Sequence, residues 1–161
     1  MKKKLTIELV PSTSWYDNVR SKVTPDEWDV IRLKCYDIAN NKCEICCDIG
    51  KNQGFNHNVE CHEIWEYDDD KYTQTLIGFI ALCPRCHKVK HCGLAFMNGE
   101  EDLVINHMML VNGIDDFDTR EYVVEAFKEH RLRSKHEWIV DVSYVKEYGK
   151  SDLDKMCERF E

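Results

Sequence analysis

The sequence predicts an α+β fold in a single domain organised by a metal-binding cysteine frame, on three observations. Two Cys-x-x-Cys pairs, Cys43/Cys46 and Cys83/Cys86, stand 36 residues apart. Short apolar or alternating segments lie before, between and after these pairs. Segments with a helical apolar period precede the first pair and follow the second. A chain of 161 residues can bury roughly 70% of the surface it exposes when unfolded, enough for a core without disulfide staples. Its 43% hydrophobic content argues against a disordered chain. No apolar run approaches the ~18 residues of a membrane span, so no membrane partner is expected.

Each element has a local reason. Residues 4–10, KLTIELV, alternate apolar and polar and predict a strand ending at Pro11. Thr24 is placed to cap a helix with Pro25 in its first turn, and Asp26 and Glu27 suit its positive end. Trp28, Ile31, Cys35 and Ile38 form its apolar face, and Asn40-Asn41 end it. Residues 42–56 are irregular, 57–65 predict a strand, and the acidic run 66–70 predicts a loop. The apolar stretch 76–82 leads into CPRCHKVKH, where Pro84 suits the first turn of a short helix. A helix follows over 101–111, with Leu103, Val104, His107 and Leu110 inward and Asn112-Gly113 as its stop. Asp118 is expected to cap another helix reaching about residue 135, with Tyr122, Ala126 and Phe127 inward. Residues 138–145 alternate and predict a last strand, pairing with the first. One domain over 1–150 and a tail over 151–161 complete the organisation.

The net charge is −8, and residues 101–161 carry most of the acidic excess. The global field therefore repels nucleic acid, and any such binding needs a local basic patch or a metal. The chain holds nine cysteines. An odd number without a recognisable secretion signal fits poorly with a disulfide framework and predicts a reducing, cytoplasmic setting. Two Cys-x-x-Cys turns supply the four thiolates that tetrahedral zinc prefers, so Cys43, Cys46, Cys83 and Cys86 are expected to hold a structural zinc. Cys47 is an adjacent competitor for Cys46. The second pair begins at a helix start, where free N–H groups favour thiolates. His87 and His91 then share one helical face.

CEIC, then VECHEIW, then LCPRCHKVKH resembles the pattern of the HNH endonucleases, a ββα-metal finger supported by a treble-clef zinc, over roughly residues 40–93. That resemblance implies a hairpin supplying a general-base histidine and a metal ligand. It implies a helix supplying a second ligand, His87, and one catalytic divalent cation, magnesium or manganese, that polarises the scissile phosphate. The middle of the motif departs from the family. Its usual central pair is replaced by His62-Glu63. In one register His62 is a metal ligand and Glu63 replaces the base; in the other His62 is the base and Cys61 fills the ligand slot. The family's asparagine has no counterpart between His62 and Cys83.

The resemblance implies catalytic roles for His62, Glu63 and His87, and a second metal held by His62, His87 and His91. Lys88 and Lys90 match positions that contact nucleic-acid backbone, and Arg131 and Arg133 form a short basic run able to contact phosphates. Trp15, Tyr16 and Arg20 form a candidate stacking patch with a phosphate contact. Asp68, Asp69 and Asp70 could offer oxygen ligands to a hard cation. The expected activity is hydrolysis of DNA phosphodiester bonds. The alternative is a catalytically inactive zinc module, an acidic inhibitor or adaptor of a nucleic-acid enzyme such as those of phage–host conflict, with a basic protein as partner.

Overall fold

The computed structural model describes residues 3–148. The chain enters as an extended segment without strand pairing, so the strand expected over 4–10 is not formed. Its backbone is satisfied by side chains instead. Asn112 Oδ1 accepts from the N–H groups of Lys4 (2.9 Å) and Leu5 (2.8 Å), Asn112 Nδ2 donates to the Leu5 carbonyl, and the Ile7 N–H donates to the Tyr122 hydroxyl. Glu8 N–H donates to the Lys90 carbonyl. These bonds meet the need of a buried backbone for partners without a sheet neighbour.

A single helical turn, α1 (Val19–Lys22), precedes α2 (Pro25–Ile38). Thr24 closes a capping box with Glu27, and Pro25 occupies the first turn. Left-handed Asn40 (φ 51°) and Asn41 (φ 55°) follow its end. Ile31 and Cys35 are buried, whereas Ile38 is exposed and does not share their face.

The central unit is a hairpin of β1 (Glu60–Asp68) and β2 (Thr73–Leu82) running into α3 (Pro84–Lys90). The strands pair antiparallel from Glu60↔Leu82 to Asp68↔Thr73, with a bulge between Ile64 and Trp65. Pairing thus extends through Glu66, Tyr67 and Asp68, where a loop was expected, because Asp68 itself closes the turn. Its carboxylate accepts from the N–H groups of Asp70 and Lys71. β3 (Ile139–Asp141) joins β2 in parallel, completing a mixed sheet in the order β1-β2-β3. The last strand is therefore shorter than the alternation over 138–145 predicts, and it pairs with β2, not with the amino-terminal segment. Residues 144–148 turn helical.

α4 (Cys92–Met97), α5 (Glu101–Asn112) and α6 (Asp116–Arg133) follow α3. Asp115, not Asp118, caps α6 by accepting from the Asp118 N–H. In α5 the buried residues are Val104, Ile105, His107 and Met108; Leu103 is half-buried and Leu110 is 79% exposed. Val123 is the buried apolar residue of α6, and Tyr122 and Phe127 pack on the same core. That core joins Leu5, Val89, Val104 and Met108 to the four paired cysteines. A second core, around Val19, Ile31 and Leu76, lies between α2 and the sheet. Among the described residues no helix is long and apolar enough to cross a membrane. The tail expected over 151–161 lies outside the described residues.

Gly50, at the start of a 3-10 turn (Gly50–Gln53), is where the irregular segment touches both the hairpin approach and α3. A Cβ there would lie 2.2 Å from the His57 carbonyl oxygen and 2.8 Å from Pro84 Cδ. Backbone cannot give way as a flexible side chain can, so Gly50→Ala is expected to destabilise the fold by about 3 kcal/mol, the upper range for overpacking. Urea unfolding should show the midpoint falling; an unchanged midpoint would contradict this packing.

Candidate metal centre

Two clusters of ligating side chains lie on either side of α3. The first is Cys43, Cys46, Cys83 and Cys86, whose sulfur atoms all lie within 4.8 Å of one another. The first pair sits on a tight turn in which Cys47 N–H donates to the Cys43 carbonyl and Cys43 N–H to the Asp48 carbonyl. Cys47 takes the left-handed conformation this turn requires (φ 65°) and is exposed, so it does not compete with Cys46. The second pair opens α3. Cys83 is its N-cap and accepts from the Cys86 N–H (3.5 Å) and from Gln53 Nε2 (3.2 Å).

The donor set fits a metal ion. Four sulfurs bound at ~2.3 Å to one tetrahedral ion would be ~3.8 Å apart, and Cys46 Sγ stands 3.6 Å from Cys83 Sγ. Hydrogen bonds from Cys46 hold the Cys43 thiol well below the ordinary range, at about 6. Bonds from Cys43, Cys46 and Cys86 lower Cys83, while hydrogen bonds to Cys43 and Cys83 push the Cys46 thiol up, and hydrogen bonds to Cys43, Cys46 and Cys83 push Cys86 up. Four thiolates this close repel one another without a cation, and a bound metal reverses that balance. Buried His107 adds a contact the sequence did not flag: its Nε2 lies 3.2 Å from Cys86 Sγ. Read on the sequence as one of several inward residues of a helix, it orients a sulfur ligand instead.

The second cluster is His62, His87 and His91, whose ligating nitrogens also lie within 4.8 Å of one another. Their ring centroids are 4.8–5.3 Å apart. His62 comes from β1, and the other two come from one face of α3 and its C-cap. Of the two registers left open by the sequence, the fold brings His62, not Cys61, together with His87. Cys61 packs instead beside Cys35 under α2.

Each of two imidazoles is held by a carboxylate. His62 donates from Nε2 to Glu8 (2.8 Å), and His87 donates from Nδ1 to Glu60. A neutral imidazole that donates from one nitrogen keeps a lone pair on the other, the pattern that orients metal-binding histidines. Burial lowers the pKa of His62, and burial together with the two neighbouring rings lowers His91 to about 3. Both are therefore neutral near pH 7 and able to act as ligands. Burial works to raise the Glu60 carboxyl, but its bonds to His87 and His57 outweigh it and hold it below the usual range. Glu8 is likewise raised by burial and lowered more by His62 and Lys90, to about 2.

Glu63 projects from the next position of β1. Burial raises its carboxyl above the ordinary range, partly offset by the Val19 N–H, which donates to Oε1 at 2.9 Å. It shares with the three histidines a cavity of about 330 Å³.

The structure places the remaining candidate residues elsewhere or in other roles. Lys90 is only 5% exposed and is bonded to Glu8 and Thr6, and Lys88 is bonded through both carboxylate oxygens of Glu100. Neither presents a free charge to a phosphate. Arg133 stacks on Tyr67 and makes a two-bond pair with Asp69; Arg131 is exposed. Asp68 and Asp69 are thus committed to the hairpin turn and to Arg133, and none of the three aspartates faces the histidines. The carboxylates that reach the histidines are those of Glu8 and Glu60. Spacing could not reveal them, because Glu8 reaches His62 across 54 residues.

Compared with protein-family models, curated proteins and solved structures, the chain matches none of them.

Glu8 joins His62 to a buried lysine, so its loss leaves Lys90 with a single hydroxyl partner. Glu8→Ala should destabilise the fold by about 2–3 kcal/mol, somewhat less than the rupture of a fully buried pair because Glu8 is one-third exposed. The double variant Glu8→Ala/Lys90→Met should recover much of that loss. Thermal unfolding of the three proteins checks this, and equal destabilisation by the single and double changes would contradict it.

Proposed function

We propose that the protein is a metal-dependent endonuclease of the HNH type that hydrolyses DNA phosphodiester bonds. In this reading zinc fills the four-cysteine cluster as a structural ion, and a divalent ion is held by His62, His87 and His91. The observation that carries it is the convergence of three imidazoles, two of them braced by carboxylates, on one side of a ββα unit whose helix is anchored by the cysteines.

An all-nitrogen donor set suits a first-row transition ion better than magnesium, which prefers oxygen. Manganese is thus the better of the two ions the family resemblance implies. When bound, such an ion would polarise the phosphate and stabilise the leaving oxygen. The chain's own residues do the rest. Glu8 and Glu60 hold the imidazoles in one tautomer. Glu63 occupies the position of the family's base, and its raised pKa makes it a stronger proton acceptor than a solvated carboxylate. The Val19 N–H, with further bonds from the Arg20 backbone and the Trp65 side chain, fixes the direction of this carboxylate.

A second reading is a non-catalytic zinc module that engages a basic protein. One observation favours it: Lys88 and Lys90 are neutralised by glutamates in a chain of net charge −8.

Single-stranded circular DNA and supercoiled plasmid, assayed side by side, separate the two. The nuclease reading expects cleavage of at least one of them that depends on added manganese, is lost in His87→Ala, and falls on the order of 10²-fold or more in Glu63→Gln, as for removal of a general base. Circular dichroism should show both variants folded. Both DNAs left intact with every divalent metal tried, on folded and metal-loaded protein, would overturn the nuclease reading in favour of the second.

A further inference from the structure

Resting on that reading of the histidine site, we infer that the adjoining cavity receives an unpaired nucleotide, so that the substrate is single-stranded DNA and not the base-paired duplex.

The cavity that His62, His87 and His91 border is also lined by Trp15, Trp28 and Trp65. These are three of the chain's four tryptophans. Trp28 and Trp65 rest on the core between α2 and the sheet and remain only half-buried, with surface left for the cavity. Trp15 lies in the loop before α1 and is 44% exposed. Loop, helix and strand thus bring three indoles to one opening beside the metal ligands. At about 330 Å³ the cavity is at the small end of the ~300–1,000 Å³ typical of ligand pockets. That is room for one nucleotide, and too narrow for a double helix. Aromatic faces stack on any base that is not already stacked in a duplex, and they do so with little regard to sequence.

Charge points the same way. Arg20 lines the opening, is exposed, and has no ion-pair partner among the described residues. It is a cation free to meet a phosphate beside a stacked base. Two lysines of α3 that would meet a duplex backbone are not free: Lys88 is held by Glu100 and Lys90 by Glu8. Duplex affinity comes largely from neutralising many phosphates at once, and the net charge of −8 opposes that. A site with one free arginine and three indoles gains more from stacking than from charge.

Fluorescence anisotropy of the full-length, as-purified protein with no added divalent metal tests the inference. The probes are a labelled 12-nucleotide thymidine oligomer and a 12-base-pair duplex at the same salt. Single-strand binding is expected to be at least tenfold tighter than duplex binding. Trp15→Ala and Arg20→Ala, both at exposed positions, should each weaken it by roughly tenfold, within the range of a lost stacking contact or charged contact. Duplex binding and the thermal midpoint should be unchanged in both. Duplex binding as tight as single-strand binding, no measurable binding of either, or single-strand binding indifferent to both substitutions would overturn the proposal. The readout is binding, so its failure is distinct from failure of the nuclease reading. Tight single-strand binding without any cleavage would sink the catalytic role and leave the pocket's occupant as inferred.

Discussion

The contact on which the rest of the structure depends is the cluster of four sulfur atoms between the turn at Cys43–Cys46 and the start of α3. A seven-residue helix has too few internal bonds to stand alone in water. α3 is held because Cys83 and Cys86 are pinned to a turn that precedes it by some 40 positions, and because Gly50 lets the intervening segment touch Pro84. Its orientation then follows. Cys86 and His87 are neighbours about 100° apart on the helix, so one faces the sulfurs and the other faces β1. His91, a turn further on, shares the face of His87. The same helix serves as wall to both clusters.

The histidine side is tightened by groups remote in the chain. Glu8 arrives on an extended segment fastened by the side chains of Asn112 and Tyr122. It divides its carboxylate between His62 and Lys90. Glu60 does the same between His57 and His87. Both carboxylates are held ionised, and each keeps an imidazole donating in a fixed direction. The β1 edge strand completes the arrangement. Among the described residues no strand pairs with its outer side, so Glu63 and the aromatic residues from the α1 region gather there around an open cavity.

Much of this was legible in the residues alone. The capped start of α2, the Cys-x-x-Cys frame and the proline-led α3 all followed from local chemistry: Thr24 with Pro25, paired cysteines, and Pro84; the hairpin was implied only by the family resemblance. The misreadings share one cause, which is that distant side chains changed the meaning of a local pattern. Residues 4–10 alternate like a strand, but Asn112 and Tyr122 take the bonds a neighbouring strand would have taken. Lys90 follows the second cysteine pair as a phosphate-contacting lysine would, but Glu8 buries it. His107 reads as one more inward helix position, but its nitrogen meets Cys86. Leu110 fits a helical period and still faces water, because α5 is covered on a face one step away. Spacing identifies ligands that lie on one turn or one helix; it does not identify carboxylates supplied from the other end of the chain.

X-ray absorption at the metal edge of the purified protein tests the central claim most directly. The expected result is a first shell of sulfur at about 2.3 Å, with nitrogen at ~2.0–2.1 Å appearing as a second equivalent of ion is loaded. A shell made only of oxygen and nitrogen, or material that holds no transition ion at all, would contradict it.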